Sequence, residues 1–167
     1  MKVNRELNKV LKMRSKREAE VLKRILGYAI KHAGSNIVLV GRSCVKVKST
    51  VERLLEMLNP RVAKVDWTRG RVDICNGSRI MFASIHSEEE AWRKCGGWRY
   101  DAVFCDENLL EADEAREILC TMKTRLVGTD FPLRFFVGAE EVRFDGGGGD
   151  TDPESEPEAA AVPAVEG

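Results

Sequence analysis

The stretch Tyr100-Asp101-Ala102-Val103-Phe104-Cys105-Asp106-Glu107 decides the fold. Four apolar residues follow one another and run into two adjacent carboxylates. A strand that is apolar on both alternating faces has no solvent side, and such strands belong to parallel sheets covered by helices. Residues 36–41 (Asn-Ile-Val-Leu-Val-Gly) form a second run of this kind, and 133–137 a third. Helical patterns lie between them. Residues 17–32 place Val21, Leu22, Ile25, Leu26 and Ala29 on one face, with Gly34 as the stop. Ser49-Thr50-Val51-Glu52 has capping-box spacing and opens a helix that ends before Pro60. Ser87 to Glu90 repeats that spacing ahead of a short helix halted by Gly96-Gly97, and 110–123 reads as another helix. Asn76-Gly77, between 71–75 and 78–85, is a strong hairpin signal. The expectation is an α/β domain: a parallel sheet with an inserted antiparallel β-hairpin.

Charge divides the chain more sharply than its net value of zero suggests. Residues 1–34 carry ten bases and three acids, whereas 145–167 carry seven acids and no base. Gly146 to Gly149 and the Pro/Glu/Ala-rich segment after them have almost nothing to bury. Residues 145–167 are therefore expected to be a disordered acidic tail, and 1–144 a folded domain with a basic N-terminal segment. The tail either screens that basic end or simply solubilises the chain.

Several classes are excluded. No apolar run approaches the ~18 residues of a membrane span. The opening Met1-Lys2-Val3-Asn4-Arg5 lacks the apolar stretch of a secretory signal, so a cytosolic protein is expected. Five cysteines without a C-x-x-C pair, and only two histidines, argue against a disulfide scaffold and a structural zinc site. Ser43-Cys44 has no histidine or acid at a readable spacing, so nucleophilic catalysis has no support.

The chemistry is concentrated at Asp106 and Glu107. Ligands of open α/β sheets bind outside the carboxyl ends of the strands. A carboxylate there can hold Mg²⁺, which prefers oxygen ligands and travels with nucleotide phosphates. A neighbouring one can orient an attacking water. The residues alone leave open a plainer alternative, that these acids cap the next helix.

The order strand, helix, hairpin, Gly-Gly loop, apolar strand and Asp-Glu resembles the ATPase domain of viral terminase large subunits, and less closely superfamily 2 helicases. The similar segments are Ile37-Val-Leu-Val-Gly-Arg-Ser43, the helix at 50–58, Asn76-Gly-Ser-Arg-Ile-Met-Phe-Ala-Ser84, Gly96-Gly-Trp-Arg99 and Val103-Phe-Cys-Asp-Glu107. This resemblance covers roughly 16–140 and implies a three-layer P-loop ATPase-like domain. It implies Asp106 as the Mg²⁺ carboxylate, Glu107 as the catalytic base and ATP as the cofactor. Phe135-Phe-Val-Gly-Ala139 stands in the place of the coupling strand.

One motif departs from the pattern. The phosphate-binding loop G-x-x-x-x-G-K-S/T belongs before the helix at 17–32, and the nearest match is Val10-Leu-Lys-Met-Arg-Ser-Lys-Arg17. Lys16 holds the lysine position, but Ser15 replaces the glycine and Arg17 the hydroxyl residue. Those glycines let backbone N–H groups approach phosphate, and the hydroxyl ligates Mg²⁺. Either the loop is degenerate and hydrolysis is lost, or another chain completes the site.

Nucleic-acid binding, with DNA expected, rests on separate residues. Lys12, Arg14, Lys16 and Arg17 lie in the basic segment, and Arg42, Lys46 and Lys48 follow the first buried strand. If about five bases met phosphates, log K would fall with log[salt] at a slope of roughly −4 to −5. Two functions are consistent with these residues: a terminase- or helicase-like ATPase domain, and an inactive module of the same fold that binds nucleic acid or assembles with a partner protein or further copies of itself.

Overall fold

The computed structural model describes residues 2–127 and 130–143. The expected acidic tail at 145–167 lies outside the described residues. Among those described, seven strands form one sheet: β1 (Asn36–Gly41), β2 (Ala63–Asp66), β3 (Arg71–Ile74), β4 (Arg79–Ser84), β5 (Ala102–Cys105), β6 (Arg134–Val137) and β7 (Glu140–Glu141). The order is β2-β3-β4-β1-β5-β6-β7. The central four, β4, β1, β5 and β6, are parallel, and β2, β3 and β7 add antiparallel edges.

The buried runs become the middle of the sheet. Ile37 and Leu39 face one way with Ala102, Phe104 and Phe136, under α1 (Lys2–Lys31) and α2 (Cys44–Glu56). Val38 and Val40 face the other way with Val103, Cys105 and Phe135, under α3 (Glu88–Cys95) and α4 (Ala115–Thr124). The domain is thus a three-layer α/β sandwich. Phe104 and Phe136 stack in parallel at 4.7 Å, which locks β5 to β6 beneath α1.

The sheet is larger than expected, and two expected helices are corrected. The expected hairpin is present as β3–β4, and its second arm, β4, is in addition a core strand beside β1. The edge strands β2 and β7 are short and half-buried, which hides them from a search for apolar runs. The helix expected from Ser49 begins six residues earlier: Ser43 is its N-cap, and the Ser43 Oγ accepts from the Lys46 N–H at 3.3 Å. The expected helix at 110–123 is a 3₁₀ turn (Glu107–Glu111) followed by α4.

The first helix also differs, with larger consequences. It runs without interruption from Lys2 to Lys31, where the residues placed a helix only at 17–32 and the resemblance put a degenerate loop at 10–17. Residues 2–16 contain no glycine or proline and are rich in Lys, Arg, Leu, Glu and Met, all good helix formers. Gly34 ends the helix region at φ +85°, a conformation that costs glycine nothing.

The hairpin turn caps that end. Gly77 adopts φ +91°, and the Asn76 Oδ1 accepts from the Ser78 N–H at 2.9 Å. The same Asn76 donates its Nδ2–H to the Ala29 carbonyl at 2.9 Å. Buried Ser78 places its Oγ 2.8 Å from the Ala29 carbonyl and 3.1 Å from that of His32. The Asn-Gly-Ser segment therefore serves orphan carbonyls of α1. Ser78→Ala is expected to lower the unfolding free energy by about 0.5–1.5 kcal/mol, because one buried hydrogen bond is lost while the Ala29 carbonyl keeps the Asn76 Nδ2–H. Urea denaturation followed by circular dichroism checks this, and an unchanged midpoint would contradict the capping role.

Candidate functional site at the carboxyl ends of β1 and β5

The chain leaves β1 for α2 on one face of the sheet and leaves β5 for the 3₁₀ turn and α4 on the other. Adjacent parallel strands with connections diverging in this way leave a crevice at their carboxyl ends, the place where open α/β sheets bind ligands. Gly41 ends β1 and Asp106 follows β5. A Cβ on Gly41 would stand 3.4 Å from the Cβ of Asp106 and 2.6 Å from a methyl of Val47. The collision is with α2, whose Val47 packs against the bare Cα of Gly41, while the approach to Asp106 is an ordinary contact.

Asp106 divides its two oxygens between structure and crevice. Its Oδ1 caps the 3₁₀ turn, accepting from the Asn108 N–H at 3.0 Å. Its Oδ2 lies 3.9 Å from the Lys46 Nζ, and the side chain is 16% exposed. The cap uses one oxygen of this carboxylate and leaves the other beside Lys46. Glu107 turns away toward β6. Its Oε2 lies 3.8 Å from an Arg17 Nη of α1, and its side chain is half exposed. Its stem packs over Gly138 at the end of β6. Arg42 reaches Glu111 at 3.8 Å. Cys105 is fully buried beneath Asp106, and burial pushes its thiol pKa up, so it carries no thiolate chemistry here.

The fold thus brings together Arg17, Arg42, Lys46, Asp106 and Glu107. Lys48 lies elsewhere: it sits over the ring of Trp67, 5.7 Å from its centroid, beside a cavity of about 700 Å³. Lys12 and Lys16 are exposed on α1, and among the described residues neither meets Asp106 or Glu107. The side chain of Arg14 lies outside the described residues. Sequence reading gave no individual role to Ser43 or Gly138, which stood inside quoted segments, and did not single out Glu111. A glycine directly after the buried run 133–137 was the available signal for Gly138.

A Mg²⁺–nucleotide group fits half of this site. Asp106 Oδ2 and Glu107 offer the one or two carboxylates that Mg²⁺ needs beside phosphate oxygens. The phosphate half does not fit, because 10–17 is helix. Backbone N–H groups inside a helix already bond to carbonyls four residues back and have none left for an anion. The cations in the crevice, Lys46 and Arg17, neutralise the acids rather than wait for phosphate.

No family model and no curated protein matches the chain. Its fold does match solved structures. The large terminase of a thermophilic bacteriophage superposes with a TM-score of 0.55 at 15% identity, over 70% of this chain and 29% of that one. The fold is similar to that of a phage large terminase. A second crystal form of that terminase, in complex with ADP, gives a TM-score of 0.53 at 16% identity and the same coverage. The chain spans less than a third of the length of those terminases.

Gly138 holds φ +61°, and a Cβ there would stand 2.5 Å from the Glu107 Cγ. Gly138→Ala is expected to lower stability by about 1–2 kcal/mol, the strained backbone and the collision acting together. Adding Glu107→Ala should recover the collision part only. A double-mutant cycle by urea denaturation measures it, and strict additivity would mean that Glu107 does not rest on Gly138.

Proposed function

We propose that this chain is a terminase-like, DNA-packaging type of domain that acts on DNA and carries the acid half of a Mg²⁺–ATP site. The observation that supports this reading is the placement of Asp106 and Glu107 at the crevice where β1 and β5 diverge, in a fold similar to that of large terminase. In this reading Asp106 is the metal-side carboxylate, held in place by its own cap on the 3₁₀ turn. Glu107, one residue further and turned toward Gly138, is the base that orients water. Arg17 stands beside Glu107 and Lys46 beside Asp106, as cationic neighbours of the two acids. The phosphate cradle comes from residues other than 10–17, supplied by another chain. Within this domain alone the site is incomplete.

Two measurements test this. Titration with a fluorescent ATP analogue and Mg²⁺ is expected to give no saturable binding below about 1 mM, weaker than about −4 kcal/mol. Micromolar binding that is lost in Asp106→Ala would overturn the incomplete site and make the chain a self-sufficient nucleotide binder. Duplex DNA is expected to bind with a log–log salt slope of roughly −4 to −5, reduced by about one in Lys12→Gln and in Lys16→Gln and unchanged in Lys64→Gln. Absence of salt-dependent binding would contradict action on DNA.

A further inference from the structure

The basic residues of α1 are arranged, not scattered. At 100° per residue, Arg5, Lys9, Lys12, Lys16 and Lys23 fall within an arc of about 60°, a single stripe about 27 Å long. That arc lies opposite the core-facing arc of Leu22, Ile25 and Ala29. All five bases are exposed. Among the described residues no carboxylate lies within ion-pair distance of Lys9, Lys12, Lys16 or Lys23, whereas Arg17 and Arg24, off the stripe, have Glu107 and Glu20. Positive charge kept in one unneutralised line is a surface for a polyanion.

The chain contains such a polyanion. Residues 145–167 hold seven acids and no base. The point of departure is favourable too. Val142, next to the last described residue, lines the same cavity as Arg17, so the tail starts beside the middle of α1. From there 24 residues reach up to about 80 Å, several times the length of the stripe. A tethered segment of this kind acts at a high effective concentration, so even a weak electrostatic contact is populated.

We propose that residues 145–167 dock along the Arg5–Lys23 stripe of α1 in the same molecule, an internal polyanion that competes with nucleic-acid phosphates for that face. The contact itself needs only α1 and the tail, and its competition with DNA rests on the DNA binding proposed above. It is reversible and purely ionic, so salt dissolves it within the range where the Debye length falls from about 14 Å to a few Å.

The test compares the full ¹⁵N-labelled chain with a full-length variant whose seven tail acids are changed to Asn and Gln. At about 50 mM salt the amide shifts of residues 5–23 are expected to differ between the two. They are expected to converge at about 0.5 M salt and to be independent of protein concentration. The triple variant Lys9→Gln/Lys12→Gln/Lys16→Gln, with an unchanged thermal transition, should abolish the difference. The tail-neutralised chain should also bind a DNA duplex of about 20 base pairs on the order of tenfold more tightly at low salt. Identical α1 shifts at low salt would overturn the proposal, as would differences confined to another surface. Differences that grow with protein concentration would overturn it as well, because the tail would then dock on a second copy.

Discussion

The structure depends on β1 being buried on both faces while paired on both edges. Ile37 to Val40 are at most 4% exposed, and β1 bonds to β4 on one side and β5 on the other. A strand in that position needs a helix layer above and below it, because neither face can meet water. The amphipathic faces of α1 and α2 cover Ile37 and Leu39, and those of α3 and α4 cover Val38 and Val40. The crevice at the strand ends follows from the same constraint. The chain has to leave β1 toward one layer and β5 toward the other, and the acids at the end of β5 stand where the two paths part.

The helix that covers the sheet also removes what a nucleotide site would need. A phosphate cradle is made of backbone N–H groups with no internal partner, which requires glycines and a break in regular structure. Residues 10–17 have neither, and their local preferences extend α1 toward the N-terminus. The acids at the crevice have taken cationic neighbours instead, Lys46 from α2 and Arg17 from α1. These pairs are partly exposed and nearly 4 Å long, so they contribute little stability. Their effect is to set the charge of the crevice.

The reach of sequence reading differed from element to element for identifiable reasons. The doubly apolar runs at 36–41 and 102–105 were legible because burial on both faces leaves a composition that no surface element shares. The Ser87 cap and the Asn76-Gly77 turn were legible because each requires one side chain at one place. The start of α2 was not, since Ser43 and Ser49 both satisfy local capping rules and only the length of β1 chooses between them. The edge strands β2 and β7 were not legible either, because a four- or two-residue strand is stabilised by the neighbour it pairs with rather than by its own pattern.

By itself the sequence determined the α/β class, the central apolar strands, the acid pair at the end of one of them, and the separation of charge between the two ends of the chain. These are properties of composition and spacing within single segments, where burial and turn geometry act on adjacent residues. Tertiary structure alone decided which residues share the crevice. Arg17, Lys46, Gly138 and Glu107 come from four elements, and their meeting depends on strand order and on which face each connection takes. It also decided that the Asn-Gly-Ser turn caps α1 and that one carboxylate of Asp106 serves both the chain and the crevice. Those are relations between segments far apart in sequence, and only packing brings them within contact distance.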